Sequence, residues 1–66
     1  MKCIGAIISQ IEKEEDEIEL YNEMAREIES EGDIKSSRLL NEIADDKRTH
    51  ISYLESIAKN VIDSYE

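Results

Sequence analysis

Apolar residues recur at alternating steps of three and four along both halves of this 66-residue chain. Such spacing puts the residues of each half on one face of an α-helix, as in the core of a bundle or coiled coil. In the first half the positions on this face are Ile4, Ile7, Ile11, Glu14, Ile18, Tyr21, Ala25 and Ile28. In the second half they are Leu40, Ile43, Lys47, His50, Leu54, Ile57 and Val61. The pattern predicts two long amphipathic helices.

A single short break, Ser30-Glu31-Gly32-Asp33, separates the two halves. Gly32 can adopt the left-handed conformation that ends a helix, and Asp33 can cap the amide groups that begin the next one. The chain has no Pro and no second turn signal, so strands are not expected. We predict one all-α domain over 1–66, an antiparallel hairpin with helices at about 3–31 and 34–64 and a turn at 32–33.

Two helices cannot enclose a core, because each buries only the strip that faces the other. A chain this short also leaves much of its apolar surface in water. Outside the two predicted strips lie further apolar residues that need cover: Ile8, Met24, Leu39, Ala44, Ile51 and Ala58. We therefore expect a homodimer or a higher homo-oligomer in which two hairpins complete a four-helix bundle.

The formal net charge is −9, from 17 acidic and 8 basic side chains. An acidic surface repels nucleic acid, so no nucleic-acid partner is expected. No apolar run approaches the roughly 20 residues of a membrane span, so no membrane association is expected either. The single cysteine excludes a disulfide framework within one chain. These properties favour a cytoplasmic protein.

The ionisable residues on the two apolar faces fall into one cluster. Glu14 lies 18 residues before Gly32 and His50 lies 18 residues after it, while Glu17 and Lys47 lie 15 residues before and after it. In an antiparallel hairpin each pair lies at one level along the helix axes. A charged group in such an interface is costly unless it is paired or binds a metal.

Two interpretations of this cluster are open. Glu14 could bind a metal together with His50, or it could form an internal ion pair with Lys47. In the first case Glu17 could supply a second carboxylate, and Asp46, one turn before His50, could be a substitute ligand. In the second case Lys47 is a structural counter-ion.

Residues 14–25, in which Glu14 precedes Tyr21 by seven positions, resemble the first helix of the rubrerythrin and ferritin-like family. Residues 40–54 resemble its second helix, which carries a Glu-x-x-His motif. The resemblance implies Glu14 and His50 as ligands of iron or another divalent metal, in the interior of a bundle. It also implies ferroxidase or peroxide-handling activity.

The chain departs from the family pattern in two ways. The full bundle has four helices in one chain, whereas this chain has two, as do encapsulated ferritin-like proteins, which complete the metal site by pairing. The residue three before His50, a Glu in the motif, is Lys47. A protonated ammonium cannot bind iron, but it can take the place of the metal by pairing with Glu14 or Glu17.

Three functions are therefore open from the sequence. The chain could be a small ferritin-like protein that binds iron. It could be a metal-free structural dimer whose interior holds Glu14–Lys47 pairs. It could also be an acidic hairpin whose strongly negative first helix docks a basic partner protein.

Overall fold

The computed structural model describes residues 3–64. These residues form two α-helices, α1 (Ile4–Ser30) and α2 (Ile34–Asp63), which pack as a hairpin 53 Å long. No strand occurs among them. The predicted all-α hairpin is thereby confirmed, and the predicted helices extend beyond the observed ones by a single residue at three of their four ends. The ends of the predicted domain, 1–2 and 65–66, lie outside the described range.

The turn between the helices takes its shape from Gly32, whose φ angle is +94°. The amide of Gly32 donates to the carbonyl of Glu29 at 2.9 Å, and the amide of Asp33 donates to the carbonyl of Ile28 at 3.2 Å. This pair of hydrogen bonds is the Schellman arrangement that closes a helix. The Asp33 carboxylate then accepts from the Ser36 amide at 3.0 Å and caps α2.

The packed face of α1 agrees with its predicted strip. All eight predicted positions are buried or half-buried, and Glu14 and Ala25 are the most enclosed of them. The spacing of three and four residues was sufficient to identify the packed face of α1. Acidic residues crowd the neighbouring faces of this helix and leave one apolar strip to pack.

The packed face of α2 differs from the predicted strip at every second position. Ile43, His50 and Ile57 were expected to face α1 but are exposed. The buried or half-buried residues of α2 are Ser36, Ser37, Leu40, Ala44, Lys47, Ile51, Leu54, Ala58 and Val61. The prediction was therefore correct for four of the seven positions of the strip and wrong for the other three.

Side-chain size explains this difference. Ala44 is completely buried, and Ala25 on α1 is 2% exposed. Small side chains at the contact let two helices approach closely, and close packing gains dispersion energy along their whole length. Ile43 in place of Ala44 would hold the helices apart. The α2 face that carries Ser37, Ala44 and Ala58 therefore turns inward.

The hairpin leaves many large apolar side chains in contact with water. Within residues 3–64 no large side chain is completely buried. Eight large apolar residues are exposed, namely Ile8, Leu20, Ile34, Leu39, Ile43, Tyr53, Ile57 and Ile62. Neither described helix has the length and apolar character needed to cross a membrane.

Candidate functional site

Lys47 joins two carboxylates of α1 at the middle of the hairpin. Its Nζ atom lies 3.1 Å from Oε2 of Glu14 and 3.0 Å from Oε2 of Glu17. The side chains of Lys47, Glu14 and Glu17 are 15%, 11% and 30% exposed. Glu14 and Lys47 lie on the packed faces, and Glu17 is one turn further along α1. We call these three residues the central triad.

The second oxygen of the Glu14 carboxylate is also engaged. Gln10, one turn earlier on α1, donates from Nε2 to Oε1 of Glu14 at 3.1 Å. In the described part of the chain no buried side-chain nitrogen or oxygen lacks a hydrogen-bond partner. The burial of Glu14 is thus compensated by an ammonium on one oxygen and an amide on the other.

Electrostatics favour the ionised forms of Glu14 and Lys47. The hydrogen bond from Lys47 lowers the pKa of Glu14, against the opposing effect of burial, and the Gln10 hydrogen bond lowers it further. The hydrogen bonds to Glu17 and Glu14 raise the pKa of Lys47. Glu14 and Lys47 therefore each favour the charged form of the other.

The aromatic ring of Tyr21 adds a further contact to the ammonium group. The Nζ atom of Lys47 lies 5.8 Å from the centroid of this ring. A cation at this distance is attracted to the negative face of the ring. Tyr21 is on the packed face of α1, so it both fills the interface and favours the cation within it.

His50 is exposed and borders a cavity of about 300 Å³ beside the central triad. The other residues that line this cavity are Gln10, Glu14, Tyr53 and Leu54. The imidazole is close enough for its charge to help lower the pKa of Glu14. His50 was expected inside the interface, but the inward turn of Ala44 and Ile51 places it at the edge.

Asp46 is exposed on α2 and does not line this cavity. No group of three or more His, Cys, Asp or Glu side chains within residues 3–64 is arranged to hold a metal ion. Of the four expected metal ligands, the hairpin brings Glu14 and Glu17 together, puts His50 nearby and leaves Asp46 apart.

Two residues of the site were missed by sequence reasoning. Gln10 precedes Glu14 by four residues, and this helical spacing was a signal that their side chains could meet. Tyr53 follows His50 by three residues and joins it at the cavity. Its place there depends on how α2 is rotated, which the sequence pattern did not decide.

A helical hairpin with inward-facing acidic residues at mid-helix resembles the helix pairs of ferritin-like bundles. The family model for rubrerythrin matches residues 8–66, which are 59 of the 66 residues. The chain belongs to the rubrerythrin family. No curated protein and no solved structure matches it at a significant level.

Iron is the metal that this family implies, and the donor set of the hairpin does not fit it. The oxygens that would bind a cation between Glu14 and Glu17 already bind the ammonium of Lys47. A divalent ion there would have to displace Lys47 and would then lie beside a second positive charge. The chemistry available to these residues is therefore ion pairing, and we derive no metal-dependent step from it.

Proposed function

We propose that this protein is a metal-independent assembly unit of the ferritin-like type. Two hairpins pair into a four-helix bundle, and the central triad replaces the metal in its interior. The observation that carries this proposal is the position of the Lys47 ammonium, within 3.1 Å of an oxygen of both carboxylates. One cation thereby compensates the two acidic groups that most need a partner.

Surface area supports the pairing. The hairpin has an accessible surface of 4977 Å² and a mass of 7.6 kDa. A compact monomer of this mass exposes about 4300 Å². The excess, about 700 Å², is close to the roughly 800 Å² that each partner buries in a typical stable interface. A second copy is therefore a suitable partner for the uncovered apolar residues.

Iron binding is the second candidate, and one observation favours it. His50 is exposed at a cavity that Glu14 also lines, so a second copy could add ligands to this edge. In that case Glu14, Glu17, His50 and Asp46 are the ligands to test, and ferroxidase or peroxide-handling activity is the reaction to assay. This candidate requires Lys47 to leave both carboxylates.

Metal loading of the native chain and of Lys47→Glu distinguishes the two candidates. The variant restores the Glu-x-x-His pattern of the family. Both proteins are incubated with Fe(II), desalted and measured for iron content and for oxidation of added Fe(II). We expect fewer than about one iron per two native chains, together with a melting temperature that a chelator leaves unchanged.

The proposal is wrong if the native chain retains stoichiometric iron or loses stability when a chelator is added. Iron binding by Lys47→Glu alone would support the view that Lys47 replaces the metal. Sedimentation equilibrium tests the pairing. A chain that stays monomeric at high concentration would contradict it and would favour the acidic partner-binding hairpin.

A further inference from the structure

A second stripe with alternating steps of three and four runs along α2, beside the face that packs on α1. We call it the outer stripe. It consists of Ser36, Leu39, Ile43, Asp46, His50, Tyr53, Ile57 and Asn60. Its four large apolar members are between 39% and 62% exposed, and its acidic and imidazole members are exposed as well. Half of the exposed large apolar residues of the described chain thus lie on one stripe of one helix.

The outer stripe is self-complementary. Its ends, Ser36 and Asn60, are polar. Between them the order is two apolar residues, an acid and a base, and two further apolar residues: Leu39, Ile43, Asp46, His50, Tyr53 and Ile57. If two copies of α2 cross antiparallel with Arg48 of both at the same level, every member of the stripe meets a residue of matching chemistry. This alignment pairs Leu39 with Ile57, Ile43 with Tyr53, and Asp46 with His50.

We propose that the outer stripe is the contact through which a second copy of this chain binds, in the alignment centred on Arg48. This inference rests on the proposed function and adds to it the face and the register of the pairing. The two-fold axis then lies at the level of Arg48, one residue from Lys47, so the central triads of both copies lie near the mid-length of the bundle. Burial of four large apolar side chains from each copy provides the driving force.

Charge selects this alignment over its neighbours. An alignment centred on Asp46 brings the two Asp46 carboxylates together, and one centred on His50 places Asp46 opposite Leu54 of the other copy. A shift by half a heptad places Asp46 or His50 against apolar residues of the other copy. Like charges and unpaired charges in an interface are unfavourable, so the alignment centred on Arg48 is preferred.

Cysteine cross-linking tests the register. In a Cys3→Ser background, a chain with Ile43→Cys is mixed with a chain with Tyr53→Cys under mild oxidation. We expect a disulfide only between the two different chains, read by non-reducing gel and mass spectrometry. Two copies of residue 43 are about 15 Å apart in this alignment, beyond the reach of a disulfide. The variant sites are exposed, and circular dichroism checks that each chain is helical.

The matched control mixes Ile43→Cys with Ile57→Cys, which would lie together in the alignment centred on His50. Cross-linking of this control in preference to the first pair overturns the proposed register. If sedimentation shows a dimer in that case, the proposed function stands and the register alone is wrong. If the unmodified chain is monomeric, both proposals fail.

A charge exchange gives an independent test by sedimentation. His50→Asp puts two carboxylates together at each end of the central contact, and we expect it to weaken dimerisation by roughly tenfold or more. Adding Asp46→Lys to the same chain replaces the two like charges with opposite charges and should restore most of the affinity. Equal dimerisation of the native, single and double variants would contradict the Asp46–His50 pairing.

Discussion

The Nζ atom of Lys47 lies 3.1 Å from Oε2 of Glu14, although 33 residues separate the two along the chain. The pair joins the middle of α1 to the middle of α2. Because Glu17 accepts from the same ammonium at 3.0 Å, removal of one lysine leaves two carboxylates without a cation. The central triad is therefore the first target for mutation.

Lys47→Met should destabilise the hairpin, because it keeps the aliphatic part of the side chain but leaves the Glu14 carboxylate in the interface without its ammonium partner. We expect a fall in melting temperature on the order of 5–10 °C at neutral pH, measured by circular dichroism. Lys59→Met is the matched control, since Lys59 is exposed on the same helix. A similar melting temperature for both variants would contradict a structural role for the triad.

Stability should fall at low pH through protonation of Glu14. Its pKa in the folded chain is lowered from the usual 4.5, so its stabilising effect is complete above that pH and is lost as the pH falls through the folded value. Urea unfolding at a series of pH values measures this loss. We expect Glu14→Gln to be less stable than the native chain at pH 7, with a difference that closes in acid. Asp33, whose pKa is also lowered, accounts for acid sensitivity that remains in the variant.

Stability should also fall at high pH, through deprotonation of Lys47. Its pKa in the folded chain is raised above the usual 10.5, so its contribution to stability is complete below that pH and is lost as the pH rises through the folded value. We expect the native chain to lose stability at strongly alkaline pH. Lys47→Met should lose less over the same range. Parallel alkaline curves for the two proteins would show that Lys47 is not the group responsible.

Gly32→Ala and Gly5→Ala should have opposite effects on stability. Gly32 has a φ angle of +94°, so a Cβ atom there costs about 1–2 kcal/mol. Gly5 lies in the first turn of α1 with open space where a Cβ atom would point, so alanine there should stabilise by up to about 1 kcal/mol. Denaturant titration of both variants checks the prediction. Destabilisation by both would contradict this account of the turn.

Ala44→Leu tests which face of α2 packs on α1. Ala44 is completely buried, so a larger side chain there should force the helices apart and destabilise by about 1–3 kcal/mol. Ala6→Leu is the control, because Ala6 is exposed on α1 and should tolerate the change with little effect. Thermal unfolding of both variants measures the difference. Full stability of Ala44→Leu would mean that Ala44 does not lie at the helix contact.

Much of the site follows from helical geometry and the turn at Gly32. Glu17 and Lys47 are equally far from this glycine in sequence, and this placed them at one level along the helix axes. The ion pair between Glu14 and Lys47 was one of the two interpretations that the sequence left open. The bridging role of Lys47 was not predicted, because helical spacing gives levels along an axis but does not give side-chain rotamers. The contact from Gln10 to Glu14 was missed although their four-residue spacing on α1 allowed it.

The sequence by itself determined two helices, their turn at Gly32 and the packed face of α1, because these depend on local spacing and on one residue that tolerates a positive φ angle. The rotation of α2 was decided by tertiary structure. Leu40, Lys47 and Leu54 belong both to the predicted and to the observed packed face of α2. Periodicity alone could therefore not distinguish the two faces. Burial of the small side chain of Ala44 against α1 selected this face of α2, and this choice left His50 at the edge of the interface and Lys47 between two carboxylates.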